Sequence, residues 1–221
     1  LRSPTARAQL IRNLKNYLAK GGYAGVVIDF KEVPTADQPL MVDFLRELKT
    51  VLVADKRQVL SVLPAYENPA HFEALVDSVD RLILLAYDQH AAHEQAGPIA
   101  SQVWFESVLD ARFAKVNGHK LIVAIGSYAI DWNSAEHGKI ISIRETWDLL
   151  HRSNSRLMFD GTALNPTFAY GDKQQNAAHT VWMLDGVTMY NQMAAALAMN
   201  PGGLAVWRLG TRAVSASLAD R

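Results

Sequence analysis

Acidic and aromatic side chains recur in this chain at the ends of short apolar segments. Asp29, Tyr87, Asp88 and Trp207 each lie at or just after the last residue of such a segment. Carboxylates can exchange protons or orient a polar ligand, and flat aromatic rings can support an apolar ligand face. Residues of both kinds at several segment ends predict one binding or catalytic face, assembled from distant parts of the chain.

A second group of candidates follows the apolar segment 121–125. Tyr128, Asp131 and Trp132 stand in a polar stretch that we expect to be a loop, where aromatic residues commonly bind a ligand. Structural roles remain open for every candidate. A carboxylate can cap a turn, a tyrosine can bond to a structural aspartate, and a tryptophan can pack in the core.

The histidines and the lack of cysteine bear on metal chemistry. The chain has seven histidines and no cysteine, which excludes disulfides, thiolate zinc sites and a cysteine nucleophile. His90, His93 and Glu94 form H-x-x-H-E, but the zinc motif H-E-x-x-H is absent. We therefore expect neither a metal nor a cofactor.

The composition is that of an ordinary globular protein. Of 221 residues 49% are hydrophobic, and 22 basic residues balance 22 acidic ones. The hydrophobic content argues against disorder, and the balanced charge argues against nucleic-acid binding. No apolar run reaches about 18 residues, so no membrane-spanning segment is expected. The first residues, LRSP, include no initiating Met and no signal peptide, so we expect a chain that has been processed or cut from something larger.

Apolar strands alternate with amphipathic helices along the chain. Capping residues such as Ser3 and Ser142 predict helix starts, and Gly22 predicts a helix end. Buried strands are predicted at 25–30, 59–63, 82–87, 121–125 and 204–207. Helices are predicted after Pro4, Pro39 and Asn68, and over 103–116, 142–150 and 185–199.

This alternation predicts an α/β fold in which helices cover a parallel sheet. The candidates gather at strand ends and no G-x-G-x-x-G or Walker loop is present, so we favour a (β/α)8 TIM-type barrel over a doubly wound sheet. Only five core strands are clear, and we expect the first barrel strands to be missing. Residues of about 156–184 predict a small β insertion, with a polar turn at 173–176, before the last helix. We expect residues 1–221 to form a single domain.

Several of these segments resemble glycoside hydrolase family 18. Residues 22–31, GYAGVVIDFK, resemble its D-G-x-D-x-D-x-E signature, and residues 85–88, LAYD, resemble its M-x-Y-D motif. Residues 203–210, GLAVWRLG, resemble its eighth strand, which ends in Trp. Residues 126–132 and 181–185 extend the resemblance to the family 18-like domains that bacteria fuse to polysaccharide deacetylase and family 2 glycosyltransferase modules.

The resemblance implies substrate-assisted chemistry on β-linked N-acetylglucosamine. In that chemistry the acetamido oxygen of the sugar attacks the anomeric carbon, while one carboxylic acid of the enzyme protonates the leaving oxygen. By position, Asp29 matches the Asp beside that acid. Tyr87 and Asp88 match the pair that binds the acetamido group, and Trp207 matches the aromatic floor under the sugar.

The chain departs from the family at the catalytic acid. Lys31 stands where the signature has Glu, and an ammonium with a pKa of about 10.4 is a poor acid at neutral pH. Glu32 comes next, but strand side chains alternate between faces, so only a bulge at the strand end would direct it into the site. Lys31 can instead pair with Asp29 or contact an acidic substrate.

We therefore expect a carbohydrate-recognising pseudoenzyme that binds a β-linked N-acetylglucosamine polysaccharide. Two alternatives remain: an active, retaining, chitinase-like hydrolase that uses Glu32, and a scaffold that only positions neighbouring domains. The resemblance further implies fused deacetylase and glycosyltransferase domains. It also implies a periplasmic, extracellular or membrane-tethered location through a larger parent protein.

Overall fold

A computed structural model describes residues 1–30, 33–133, 137–172 and 177–208. Its helices are α1 (Pro4–Gly21), α2 (Gln38–Val53), α3 (Pro69–Ser78), α4 (Gln102–Phe113), α5 (Ile143–Ser153) and α6 (Gly186–Ala198). Its strands are β1 (Gly25–Ile28), β2 (Gln58–Pro64), β3 (Arg81–Leu85), β4 (Leu121–Gly126), β5 (Ala129–Asn133), β6 (Lys139–Ile141), β7 (Met158–Phe159), β8 (Pro166–Asp172), β9 (Ala177–Met183) and β10 (Gly203–Trp207). Within these residues, no helix is both long enough and apolar enough to span a bilayer.

Local signals start and end the helices as the sequence predicts. The Ser3 hydroxyl accepts a hydrogen bond from the Ala6 amide at the start of α1, and Gly22 ends that helix with a left-handed φ of 65°. Ser142 and Glu145 form a reciprocal capping box before α5. All the predicted helices and apolar strands are present, with ends that shift by a few residues.

The strands form two five-stranded sheets. The first has the order β1-β2-β3-β4-β10 and consists of the strands predicted from apolar runs. Its β1–β2 and β2–β3 pairs are parallel, with Val27 opposite Leu60 and Val62 opposite Ile83. The second has the order β6-β5-β9-β8-β7, and its pairs are antiparallel. The predicted α/β class with a parallel sheet is confirmed.

The chain divides into two compact units, and the first comprises residues 1–85, 115–122 and 201–203. One face of α2 supplies much of its core, because Phe44, Leu45, Leu48 and Leu52 are fully buried. Burial of each such side chain contributes about 1.5–3 kcal/mol. This apolar packing supports the parallel strands that precede the candidate residues.

The second unit comprises residues 86–114, 123–200 and 204–221, of which the structure describes the part up to residue 208. Helix α5 packs on the antiparallel sheet around an apolar core of Ala129, Ile143, Leu150, Phe168, Val181 and Met183. The side-chain amides of Asn165 and Gln192 both donate to the Ala100 carbonyl, at 3.0 Å each. These buried bonds anchor the long segment between β3 and α4.

Residues 129–133 and 139–141 differ from the sequence-based expectation. The stretch expected to be a polar loop contains β5 and β6, and Asp131 and Trp132 lie within β5. Ile130, Asp131 and Trp132 alternate between the two faces of a strand, and pairing with β9 fixes that strand. The antiparallel sheet therefore has two strands before residues 156–184. The predicted turn at 173–176 lies outside the described residues.

A methyl group on Gly25 tests how closely β1 approaches β2. Gly25 pairs with Gln58, and a Cβ atom there would overlap the Gln58 carbonyl oxygen. We expect Gly25→Ala to lower the free energy of unfolding by about 1–3 kcal/mol, because the backbone must shift. Gly203→Ala in β10 is the matched control, since its Cβ would lie 3.8 Å from the nearest atom, a side-chain carbon of Ile122. Equal stability of the two variants in urea denaturation would contradict this close approach.

Candidate functional site

Asp29 lies in the first unit, directly after β1, and its side chain is exposed. The Ser61 hydroxyl of β2 donates to the Ile28 carbonyl at 3.2 Å, which fixes the last residue of β1. Asp29 therefore stands at the carboxyl end of a parallel strand, its predicted location. Lys31 and Glu32, the two residues considered for the acid position, lie outside the described residues.

Tyr87 and Asp88 lie in the second unit, just beyond the end of β3. The Tyr87 side chain is buried, whereas Asp88 is exposed and has a positive φ of 63°. The Ala86 amide donates to the Ala124 carbonyl of β4 at 3.1 Å, so the backbone before this pair is held by the neighbouring strand. A left-handed backbone at Asp88 turns the chain away from the strand direction and leaves its carboxylate accessible.

Three aromatic rings from separate segments form one cluster, which we call the aromatic cluster: Tyr87, Tyr128 and Trp207. Tyr87 stacks on Trp207 with ring centroids 5.7 Å apart and planes 24° apart. Tyr128 meets both other rings edge-on, at 6.1 Å from Tyr87 and 5.0 Å from Trp207. Such pairs contribute about 0.5–1.5 kcal/mol each beyond simple burial. The cluster fixes the plane of Trp207, which remains partly exposed.

A short hydrogen bond joins the aromatic cluster to Asp88. The Tyr128 hydroxyl donates to Asp88 Oδ1. Burial raises the pKa of Tyr128 well above its ordinary value, and the nearby Asp88 charge raises it further. Tyr128 therefore stays a neutral donor at physiological pH and holds one oxygen of the Asp88 carboxylate.

Backbone contacts seat Tyr128 and Trp207 in the second unit. The Ser127 amide donates to the Trp207 carbonyl at 2.8 Å, and the Leu184 amide donates to the Tyr128 carbonyl at 2.9 Å. Gly126 makes room for this arrangement, because a Cβ atom there would lie 2.8 Å from the Tyr128 ring. Gly126 and Ser127 lie within a segment that resembles the family, but no sequence pattern indicates that they support the site.

The expectation that Tyr128 and Trp132 are exposed in a loop is wrong. Tyr128 is fully buried, and Trp132 is buried in β5 with 4% of its surface exposed. Burial of a large aromatic ring is favourable, and polar neighbours in the sequence do not prevent the ring from packing between other elements. Of the sequence candidates in the second unit, the structure brings together Tyr87, Asp88, Tyr128 and Trp207, whereas Asp131 and Trp132 belong to the antiparallel sheet.

Asp131 belongs to a separate polar network on that sheet. The Tyr170 hydroxyl donates to Asp131 Oδ2 at 2.7 Å, and His179 Nδ1 lies 2.8 Å from Asp131 Oδ1. The Tyr170 and His179 rings stack at 4.4 Å. Burial and the bond to Asp131 raise the pKa of Tyr170. The network links β5, β8 and β9. It forms because Tyr170 of β8 is paired with His179 of β9, and the sequence alone does not indicate that pairing.

The described residues contain no group of three or more His, Asp or Glu side chains placed to hold a metal ion. The side chains collected in the second unit are one carboxylate, two phenols and an indole. Such a set can bind and orient a polar ligand that also has an apolar face.

Parallel strands alternating with helices, with aromatic and acidic residues at strand ends, are typical of the (β/α)8-barrel class. The parallel sheet of the described residues has five strands. A family model described as "Glycosyl hydrolases family 18" matches residues 1–211. The chain therefore belongs to glycosyl hydrolase family 18.

Solved structures of similar proteins confirm the predicted TIM-type fold. One of these is the structure of YdhD from Bacillus subtilis, which is named as a sporulation-specific glycosylase by provisional assignment. It has a TM-score of 0.86 at 26% sequence identity. The alignment covers 95% of this chain and 73% of the YdhD chain in that structure. A chitinase from Chromobacterium violaceum has a TM-score of 0.87 at 23% identity and covers 96% of this chain and 69% of its own.

Curated relatives are longer than this chain. YdhD is 27% identical over 220 residues, which are 95% of this chain and 52% of YdhD. The cortical fragment-lytic enzyme of Bacillus anthracis is 23% identical over 229 residues, which are 95% of this chain and 52% of that protein. The chain therefore spans about half the length of these two relatives.

Removal of the Tyr128 hydroxyl tests the bond to Asp88. Because the Tyr128 pKa is raised in the folded state, the unfolded chain loses its proton first, and stability falls as the pH rises above about 10. This group alone contributes a slope of about 1.4 kcal/mol per pH unit there. We expect Tyr128→Phe to flatten the alkaline decline in the free energy of unfolding, measured in urea between pH 9 and 11.

Tyr66→Phe is the matched control for that measurement, because Tyr66 is 83% exposed. It should leave the alkaline slope unchanged. The same slope in wild type and Tyr128→Phe would contradict the raised pKa that burial and the neighbouring Asp88 carboxylate give to Tyr128.

Proposed function

We propose that the chain binds a β-linked N-acetylglucosamine polysaccharide and does not hydrolyse it efficiently. The observation that supports binding is the junction of Asp88 with the aromatic cluster in a family 18 protein. Trp207 supplies a partly exposed ring for the apolar face of a sugar. Asp88 supplies an exposed carboxylate for the acetamido N–H of the same sugar.

Each residue of the proposed site has a distinct task. Tyr87 and Tyr128 hold the Trp207 ring, and Tyr128 orients the Asp88 carboxylate. For Asp29 we propose only the role that the family pattern implies, as the carboxylate next to the acid position that takes part in acetamido recognition. Asp131 and Trp132 were expected to bind substrate directly. We now propose that they support the site through the antiparallel sheet, because both side chains are largely buried.

The proposed loss of hydrolysis depends on the acid position. Substrate-assisted cleavage needs a proton for the oxygen that leaves the anomeric carbon. Lys31 occupies the acid position of the signature, and a lysine ammonium gives up its proton too weakly at neutral pH. Its positive charge also opposes the charge that develops at the anomeric carbon.

Active hydrolysis with Glu32 as the acid is the second candidate function. The relatives' names favour it, since one contains "glycosylase" and the other "lytic enzyme". The family match over residues 1–211 supports the further proposal that the chain works as one family 18 domain. Fusion to deacetylase and glycosyltransferase modules stays a prediction.

Binding is tested with chito-oligosaccharides, by isothermal titration calorimetry and intrinsic tryptophan fluorescence. We expect the natural chain to bind, and Asp88→Asn to bind about tenfold more weakly or worse, because the acetamido N–H loses a charged acceptor. Asp148→Asn is the matched control, since Asp148 is exposed on α5. If the natural chain shows neither heat of binding nor a fluorescence change, the binding proposal is wrong and the scaffold role takes its place.

Turnover is tested with a fluorogenic chito-oligosaccharide and Lys31→Glu beside the natural chain. We expect no turnover by the natural chain, and measurable turnover once a carboxylic acid occupies the acid position. Glu32→Gln in the natural chain is the control for the second candidate function. Turnover by the natural chain that Glu32→Gln abolishes would establish an active hydrolase instead.

A further inference from the structure

The polar network on the antiparallel sheet lies close in sequence to Tyr128. Tyr128 directly precedes β5, and Asp131 of the network lies within that strand. The ladder between β5 and β9 includes Ala129 opposite Met183, and the bond from the Leu184 amide to the Tyr128 carbonyl extends it by one residue. The backbone position of Tyr128 therefore depends on the register of β5 against β9.

Apolar packing on the Asp131 face of β5 specifies this register only weakly. Of the three residues on that face, Ala129, Asp131 and Asn133, only Ala129 belongs to the apolar core. A shift by one residue would exchange the two faces of the strand, whereas a shift by two would keep them and move Tyr128 by about 7 Å. Polar contacts that form in one alignment only can exclude the second shift.

The polar network supplies such contacts from two neighbouring strands. Asp131 Oδ2 accepts from the Tyr170 hydroxyl of β8, and Asp131 Oδ1 lies 2.8 Å from His179 Nδ1 of β9. Tyr170 and His179 are directly opposite each other, and their rings stack with planes 23° apart. Both carboxylate oxygens of Asp131 are thus held, and a displacement of β5 along β9 would break both contacts.

His179 lowers stability at its own position, which favours a role in alignment. Its Nε2 atom is buried and has no hydrogen-bond partner among the described residues. A buried polar atom without a partner destabilises the folded state, and an apolar side chain would avoid that cost. An apolar side chain would also lose the contact to Asp131. Buried polar groups that cost stability can specify one arrangement of the elements around them.

We propose that Tyr170 and His179 are positioning residues for the candidate site. Through Asp131 they hold β5 in register, and β5 holds Tyr128 where its hydroxyl donates to Asp88. Neither residue needs to touch a ligand for this role. The effect on sugar affinity rests on the proposed function, whereas the placement of Tyr128 can be measured without a sugar.

Carbon-13 NMR of tyrosine, labelled at the ring carbon that bears the hydroxyl, measures this placement. Tyr128→Phe assigns the Tyr128 signal by removing it, and Asp88→Asn gives the position of that signal when the charged acceptor is lost. At neutral pH we expect Tyr170→Phe and His179→Leu to move the Tyr128 signal toward that position, because the phenol no longer stays next to the carboxylate. Circular dichroism checks that each variant is folded, and Tyr170→Phe decides alone if His179→Leu is not.

Thr167→Val is the matched control for loss of a hydroxyl from β8. The Thr167 hydroxyl is buried and donates to the Val181 carbonyl at 2.8 Å, outside the polar network. Its removal costs the same sheet one hydrogen bond, as Tyr170→Phe does. A general loosening of the sheet would move the Tyr128 signal in both variants, whereas we expect Thr167→Val to leave it at its natural position.

The affinity for chitotetraose, measured by isothermal titration calorimetry, connects this placement to recognition. We expect Tyr170→Phe and His179→Leu to bind about three- to tenfold more weakly than the natural chain, because a displaced Tyr128 no longer orients the Asp88 carboxylate. Thr167→Val should bind like the natural chain.

The inference is wrong if the Tyr128 signal keeps its natural position in a folded Tyr170→Phe or His179→Leu, or moves as far in Thr167→Val. Neither result bears on the proposed function, because the NMR samples contain no sugar. Displaced signals with unchanged affinity would also overturn the inference, since the two residues would then not position the site. If the natural chain does not bind chitotetraose, the proposed function fails, and the NMR result alone decides whether the network places Tyr128.

Discussion

The bond from Tyr128 to Asp88 is the constraint on which the candidate site depends. It joins segments 40 residues apart, and it places a charged acceptor next to a fully buried phenol. An exposed carboxylate on a positive-φ residue would otherwise sample several orientations. Because the donor is fixed within the aromatic cluster, the carboxylate and the Trp207 ring are held in one arrangement before any ligand arrives. Preorganisation of this kind lowers the entropy lost on binding.

Under the proposed function, the same arrangement explains how a sugar can bind to a site that does not hydrolyse it. Tyr87, Tyr128 and Trp207 pack against one another, so their replacement would cost stability as well as affinity. The acid position carries no comparable packing role in the family chemistry, since its task is to transfer a proton. Under the same proposal, Lys31 at the acid position removes the proton donor, while the aromatic cluster of the second unit is present. The presence of the aromatic cluster supports a binding face, and it does not bear on whether the chain hydrolyses a sugar.

Much of the fold follows from local signals in the sequence. Ser3, Gly22 and Ser142 mark helix ends through backbone hydrogen bonds that need no distant partner. Continuous apolar runs identify the parallel strands. Of these, β4 is buried on both faces along most of its length, whereas β1 and β10 are only partly buried. The carboxyl ends of such strands are therefore predictable positions for Asp29, Tyr87 and Trp207.

The rest depends on pairing between distant segments. Residues 129–133 mix polar and apolar side chains, and their pairing with β6 and β9 makes them a strand. Tyr170 and His179 meet Asp131 because β8 and β9 align, which no local pattern encodes. Likewise, the exposure of Tyr128 and Trp132 was misjudged, because a short polar context does not report which elements pack over a ring. Burial of an aromatic residue is a tertiary property, and the sequence near it does not determine it.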